Sequence, residues 1–189
     1  MKIEFLDFLC CPECNSNLSI KITNQYQDKI LSGSLNCKNP TCSKIYEITN
    51  SIPRFVNSPK YAKSFGDQWN KFALTQIDSS KLNQSEARWE TEIGWSSSDL
   101  QGKNVVEFGS GAGRFVDIVS KRNANLIIGI DITSAVDAAQ NNLADRDNVL
   151  FIQGNIFSPP LKQNIFDFAY SIGVLHHTPQ PELAFNKLI

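Results

Sequence analysis

Between Val105 and Phe115 the chain reads Val-Val-Glu-Phe-Gly-Ser-Gly-Ala-Gly-Arg-Phe, and no other stretch limits the possible folds as much. A short apolar run broken by one carboxylate leads into three glycines at alternate positions, and the apolar-periodic segment Phe115 to Val119 follows. That order predicts strand, tight turn, helix. Glycine is required where the backbone takes positive φ, or where it lies against a ligand with no Cβ in the way. The amides opening the next helix then face that ligand. Glycine turns also arise for purely steric reasons, so the surroundings decide. After the turn, Leu126-Ile127-Ile128-Gly129-Ile130-Asp131 forms a second buried-strand run ending in an acid. An acid at the carboxyl end of the second strand of a βαβ unit sits where it accepts both hydroxyls of a ribose.

With both features in place, the sequence resembles the class I S-adenosylmethionine-dependent methyltransferases, whose first motif is an acid followed by Gly-x-Gly-x-Gly. Glu107 with Gly109, Gly111 and Gly113 fits that motif better than the Gly-x-Gly-x-x-Gly of dinucleotide dehydrogenases. The bland alternative is a βαβ domain whose glycines are structural. The resemblance implies an α/β fold, a Rossmann-like, doubly wound parallel sheet that binds S-adenosyl-L-methionine. Glu107 then anchors the methionine amine, the loop from Gly109 to Gly113 passes the carboxyethyl chain, Asp131 holds the ribose, and Asn155 with Ile156 frames the adenine. Ser110, Ile132 and Ser171 complete the expected cofactor set. Asn155 departs from the family's commoner aspartate, but an amide oxygen still accepts from an exocyclic amine. A structural role, closing a turn, is its other reading.

Four of the five cysteines form two pairs near the N-terminus, Cys11 with Cys14 and Cys37 with Cys42. Two short knuckles separated by polar and strand-like sequence place four thiolates around one structural Zn²⁺ ion. Two disulfides or free thiols are the alternative, and a register in which Cys10 replaces Cys11 stays open. Leu18 to Ile22 and Lys44 to Ile48 alternate as strands. A segment this small builds little core, so a metal would supply stability. Residues 1–58 resemble the zinc ribbon that precedes some methyltransferase domains, with Ser51 to Phe55 as its exit.

Residues 59–102 read as a helical lid or linker. Tyr61, Phe65, Trp69 and Phe72 recur at four, four and three, on one face of a helix. Such a stripe is either core or, by the resemblance, a cover over the cofactor; Glu86 to Glu90 continues the lid-like sequence. Residues 103–189 form the cofactor domain, with helices expected from Arg114 and from Ala135 toward Ala144, and strands at Val149 to Ile152 and Phe166 to Ser171. Beyond the last strand lies Val174-Leu175-His176-His177-Thr178. Either histidine could take a proton from a nucleophile near neutral pH, and both being structural is the competing reading. Thr178 is a candidate cap for a helix around Glu182 to Leu188. Four strands are expected where the resembling fold has seven, so the sequence reads as the front of a longer protein. Its fourth strand would leave an edge lined by Phe166, Phe168 and Tyr170, prone to self-association.

The chain of 189 residues is 41% hydrophobic and 20% charged, with a formal net charge of -1. Nothing in that balance advertises a nucleic-acid partner. Glu4 and Asp7 interrupt the only apolar run at the N-terminus, and no run approaches a membrane span. A cytoplasmic setting is expected, where thiols are ligands rather than disulfides. The expected reaction is methyl transfer to a small-molecule or lipid-like metabolite. The alternatives are methylation of guanine in ribosomal RNA with the ribbon gripping RNA, and a non-catalytic cofactor-binding or partner module.

Overall fold

The computed structural model describes residues 1–56, 63–75, 77–78 and 83–188. Its strands are β1 (Leu18–Tyr26), β2 (Lys29–Cys37), β3 (Ile45–Thr49), β4 (Ile52–Arg54), β5 (Asn104–Phe108), β6 (Leu126–Asp131), β7 (Val149–Gln153) and β8 (Phe168–Tyr170). The helices are α1 (Lys63–Lys71), α2 (Gln84–Glu92), α3 (Ser97–Leu100), α4 (Arg114–Ser120), α5 (Ala135–Asn142) and α6 (Pro181–Phe185). All eight strands join one sheet in the order β1-β2-β3-β4-β7-β6-β5-β8.

The second half of the sheet is parallel. Val106 lies opposite Ile128 and Ala169, and Gly129 lies opposite Phe151. Residues alternate between its faces, as the pleat requires. Val105, Ile127 and Phe151 pack with Trp89, Leu100, Val116 and Val119 on one side, whereas Val106, Ile128 and Ile152 pack on the other with Phe5, Leu9, Leu18 and Leu35. Burial on both faces is why β5 and β6 read as nearly unbroken apolar runs. The helices α4 and α5 cross over between strands and leave the carboxyl ends of β5, β6 and β7 at one rim, where an α/β sheet binds its ligands.

The ribbon segment is tied into this sheet. Ser51 to Phe55, expected as an exit, supplies β4, which runs parallel to β7 with Arg54 opposite Gln153. The Arg54 guanidinium donates to Asp137 at 2.6 Å and to Gln153 Oε1 at 2.8 Å. The amide of Cys10 donates to Pro160 O and that of Lys162 to Phe8 O, both at 3.0 Å.

Two expectations shift at the far edge. Of the side chains expected to line an open edge, Tyr170 is 3% exposed, its ring 5.2 Å from Trp89. Phe168 lies 4.4 Å from Trp95, and Phe166 lies 5.9 Å from Phe8. Strand side chains project to the two faces rather than along the edge, so neighbouring elements cover them. Trp89, inside the lid-like stretch, is a fully buried core residue. Of the predicted stripe, Tyr61 lies outside the described residues, as does the side chain of Phe65; Trp69 is half-buried and Phe72 is exposed. Thr178 does not cap α6, whose first turn opens at Gln180 and Pro181. Its hydroxyl donates to Leu175 O at 2.7 Å instead. Among the described residues no helix is long and apolar enough to cross a membrane.

Candidate functional site

The glycine turn takes the predicted conformation. Gly109, Gly111 and Gly113 all have positive φ, at 82°, 51° and 88°. The amides of Gly109 and Ser110 donate to Ile130 O at 2.7 and 3.0 Å, which ties the loop to β6. A Cβ on Gly109 would stand 2.4 Å from the Val174 side chain, so the loop holds its path only without one. Gly113 serves packing rather than a ligand, since a Cβ there would meet Phe151 at 3.1 Å.

A cavity of about 340 Å³ opens above this loop. Of the sequence candidates, Glu107, Gly109, Ser110, Gly111, Asp131, Ile132, Asn155, Ile156 and His177 line it. Gly113, Ser171 and His176 do not: the Ser171 hydroxyl donates to Phe108 O at 2.7 Å, and the His176 ring sits beside His177 at 4.0 Å between centroids. Trp69, from the stripe expected as core or cover, and Arg88, from the lid-like stretch, line it as well, and Arg114, Thr133 and Phe157 do so without having been singled out. Arg114 directly follows the glycine loop, a position that could have marked it. Trp69 stands 3.8 Å from where a Gly111 Cβ would be, because Gly66 lets α1 approach the start of α5 closely and Asn70 donates to Ser134 O at 2.9 Å.

The acids differ sharply. Glu107 is 1% exposed and accepts from the Tyr170 hydroxyl at 3.2 Å. Burial, with a smaller contribution from the nearby Asp131 charge, pushes its carboxyl up to about 8 in spite of that hydrogen bond. Asp131 is partly exposed and already engaged. Its Oδ2 accepts from the Gly111 amide at 2.9 Å, and its Oδ1 from the amide and hydroxyl of Thr133 at 2.9 and 2.7 Å. The residue expected to hold ribose thus also braces the glycine loop. Asn155 Oδ1 accepts from the Phe157 amide at 3.0 Å, which leaves its NH₂ group and a second lone pair. Ser110 Oγ is buried at the cavity wall with no hydrogen-bond partner among the described residues, a polar atom suited to a polar ligand.

At the other end of the sheet the Sγ atoms of Cys11, Cys14, Cys37 and Cys42 all lie within 4.8 Å of one another. Cys11 and Cys42 are 3.7 Å apart, and Cys14 and Cys37 are 3.5 Å apart. Four thiolates at a Zn–S distance of about 2.3 Å stand roughly 3.8 Å from each other in a tetrahedron, so the set fits zinc. The knuckle turns are formed by Asn15 and Ser43, both at positive φ, and the Asn39 amide points to Cys37 Sγ at 3.4 Å. Tyr46 Oη lies 3.2 Å from Cys11 Sγ, a position from which it orients a metal-bound thiolate. Cys10 stays outside the cluster, and burial raises its thiol to about 11.

Residues 106–189 match a family described as the methyltransferase domain. Three solved structures share the fold. The first is a Methanococcus maripaludis protein assigned to the S-adenosyl-L-methionine-dependent methyltransferases, with a TM-score of 0.53 at 20% identity over 69% of this chain and 59% of that one. The second is a SAM-dependent methyltransferase from Aquifex aeolicus, with a TM-score of 0.51 at 23% identity over 65% and 64%. The third is the [4+2]-cyclase SpnF, with a TM-score of 0.53 at 19% identity over 70% and 56%. The chain therefore spans less than two thirds of the length of each. No curated protein matches it. The glycine loop, the acid-ended second strand and the strand order β7-β6-β5-β8 accord with that match to the methyltransferase domain, which covers residues 106–189, less than half of the chain.

Proposed function

We propose that the chain binds S-adenosyl-L-methionine in the cavity above the glycine loop and directs methyl transfer to a small-molecule or lipid-like acceptor. The observation carrying this reading is that Glu107, the Gly109–Gly111 turn, Asp131 and Asn155 face one cavity. When bound, the cofactor supplies a methyl group made electrophilic by its sulfonium. The residues then have limited tasks, namely to bind, align and exclude water. Glu107 meets the methionine amine in a site where its own charge is costly, so a cationic partner is favoured there. The glycine loop passes the chain of the ligand without side-chain obstruction. Asp131 and Asn155 fix the ribose and adenine ends. His177, beside Thr178 at the cavity wall, takes a proton from the acceptor where the acceptor carries one. Four thiolates hold one structural zinc ion at the opposite end of the sheet.

The SpnF likeness shows that this fold does not by itself dictate methyl transfer. A small acceptor is preferred over RNA for an electrostatic reason. Of the six basic residues in the ribbon segment, Lys2, Lys29 and Arg54 are engaged with Asp28, Asp147 and Asp137. Lys21, Lys38 and Lys44 alone remain for a phosphate backbone. The test is a calorimetric titration with S-adenosylhomocysteine beside NADH. Saturable binding of the first and none of the second is expected. The reverse, or no binding, overturns the reading. Filter binding to structured RNA at low and high salt decides the acceptor class.

A further inference from the structure

One side chain of the ribbon segment reaches the back of the cavity wall. Arg54 ends β4, whose flanking residues Ile52 and Phe55 are buried in the two opposite layers of the core, so its backbone is held on both sides. Its guanidinium forks. Nη2 donates to Oδ1 of Asp137, in the first turn of α5, at 2.6 Å, and Nη1 donates to Gln153 Oε1 at 2.8 Å. Gln153 is 5% exposed, and its Nε2 donates in turn to Ile132 O at 3.3 Å. The order of this relay is set by chemistry. A guanidinium only donates and a carbonyl only accepts, so the carboxamide between them fits with its oxygen toward Arg54 and its NH₂ group toward Ile132. Without the guanidinium, a buried carboxamide oxygen loses a charged donor and with it the reason to keep that orientation. The relay ends on the cavity. Ile132 directly follows Asp131, Gly154 and Asn155 directly follow Gln153, and all four line the cavity. Their two loops also meet through the Gly154 amide, which donates to Asp131 O at 2.9 Å.

We propose that Arg54, supplied by the ribbon segment, is a positioning residue for the nucleoside end of the cavity: it fixes the Gln153 carboxamide on Ile132 O and so sets the spacing between the Asp131–Ile132 side and the Gly154–Asn155 side. The assignment rests on the cofactor reading above. Arg54 does not itself line the cavity, so it acts on a ligand only through the residues it holds. Its pair with Asp137 is partly exposed and anchors α5; the effect on the ligand runs through Gln153.

The experiment is a double-mutant cycle read by calorimetry with S-adenosylhomocysteine, for the wild type, Arg54→Met, Gln153→Met and the double variant, with thermal melts confirming that each is folded at the assay temperature. Either single change is expected to weaken binding by about tenfold, and the double variant to bind no more weakly than Gln153→Met alone. A bridge that serves stability only would lower the melting temperature and leave the dissociation constant unchanged, and that result overturns the assignment. Losses that multiply in the double variant overturn it too, because Arg54 would then act by a route other than Gln153. Gln153→Met leaves the pair between Arg54 and Asp137 in place, so it decides the matter alone if Arg54→Met does not fold: a tenfold loss supports the relay, and unchanged affinity overturns it. Absence of S-adenosylhomocysteine binding by the wild type overturns the cofactor reading and this assignment with it, whereas a wild type that binds and variants that bind equally well overturn the assignment alone.

Discussion

Replacing Glu107 with glutamine should stabilise the folded protein at alkaline pH while weakening its hold on the cofactor. Glutamine is nearly isosteric and its oxygen still accepts from the Tyr170 hydroxyl, so the change removes the charge together with the second acceptor oxygen, the Val116 amide being the other donor near this carboxylate. Burial raises the Glu107 carboxyl from 4.5 to about 8. At about 1.4 kcal/mol per unit, that difference corresponds to an upper bound of about 5 kcal/mol against the ionised form in the folded state. Because the side chain borders a cavity that admits water, a gain of about 2–4 kcal/mol is expected for the variant above pH 8. The sign follows from linkage. A carboxyl raised on folding takes up a proton between roughly pH 4.5 and 8, so its contribution to stability falls as pH rises through that window and levels off above it. Below the window wild type and variant should coincide. Urea denaturation of both proteins at acid and alkaline pH measures the gap, and calorimetry with S-adenosylhomocysteine measures the functional cost. Parallel stability profiles, or a variant that is less stable at alkaline pH, would refute the argument.

Asp131→Ala should weaken S-adenosylhomocysteine binding by about 1–3 kcal/mol, because it removes an acceptor for the ligand and frees the Gly111 amide; an unchanged dissociation constant removes Asp131 from the site. Metal analysis of protein purified without added zinc should find one zinc per chain, and substoichiometric metal in a folded sample would count against the cluster as a zinc site. Chelation should lower both the melting temperature and the affinity for S-adenosylhomocysteine, since the knuckle amide of Cys10 holds Pro160 in the segment that follows Asn155; affinity that survives chelation in a folded sample would sever that link. Trp89→Ala should cost about 3–5 kcal/mol in denaturant unfolding, because the ring is fully buried against Tyr170, Phe115 and Trp95; a loss below 1 kcal/mol would mean that the site collapses around the gap.

What could be read in the sequence was local. The glycine loop, the acid-ended strand and the two cysteine knuckles each encode their geometry within a few residues; the cavity gathers most of the residues that the first two nominate, and the four thiols meet at the other end of the sheet. What could not be read depends on partners far along the chain. Nothing in Ser51 to Phe55 announces that β4 pairs with β7, because a parallel bridge between Arg54 and Gln153 leaves no periodic mark in either segment. Trp89 reads as lid sequence because Glu86, Arg88 and Glu90 around it are charged; Glu86 and Glu90 pair with Arg122 on one flank of the helix and Arg88 lines the cavity on another, while Trp89 faces the core. Asp131 was legible as an acid at a strand end, but not as a brace for the Gly111 amide, since that contact depends on how tightly the loop turns.

The seam between β4 and β7 bears on how the chain folds and how it can be dissected. The apolar layer beneath Val106, Ile128 and Ile152 is completed by Phe5, Leu9, Leu18 and Leu35, so each half lacks a full core until the other is in place. A ribbon cut away at residue 58 would strip one face of the parallel strands and lose its own floor. The two halves should therefore melt together as one cooperative unit, and neither fragment should hold its structure alone.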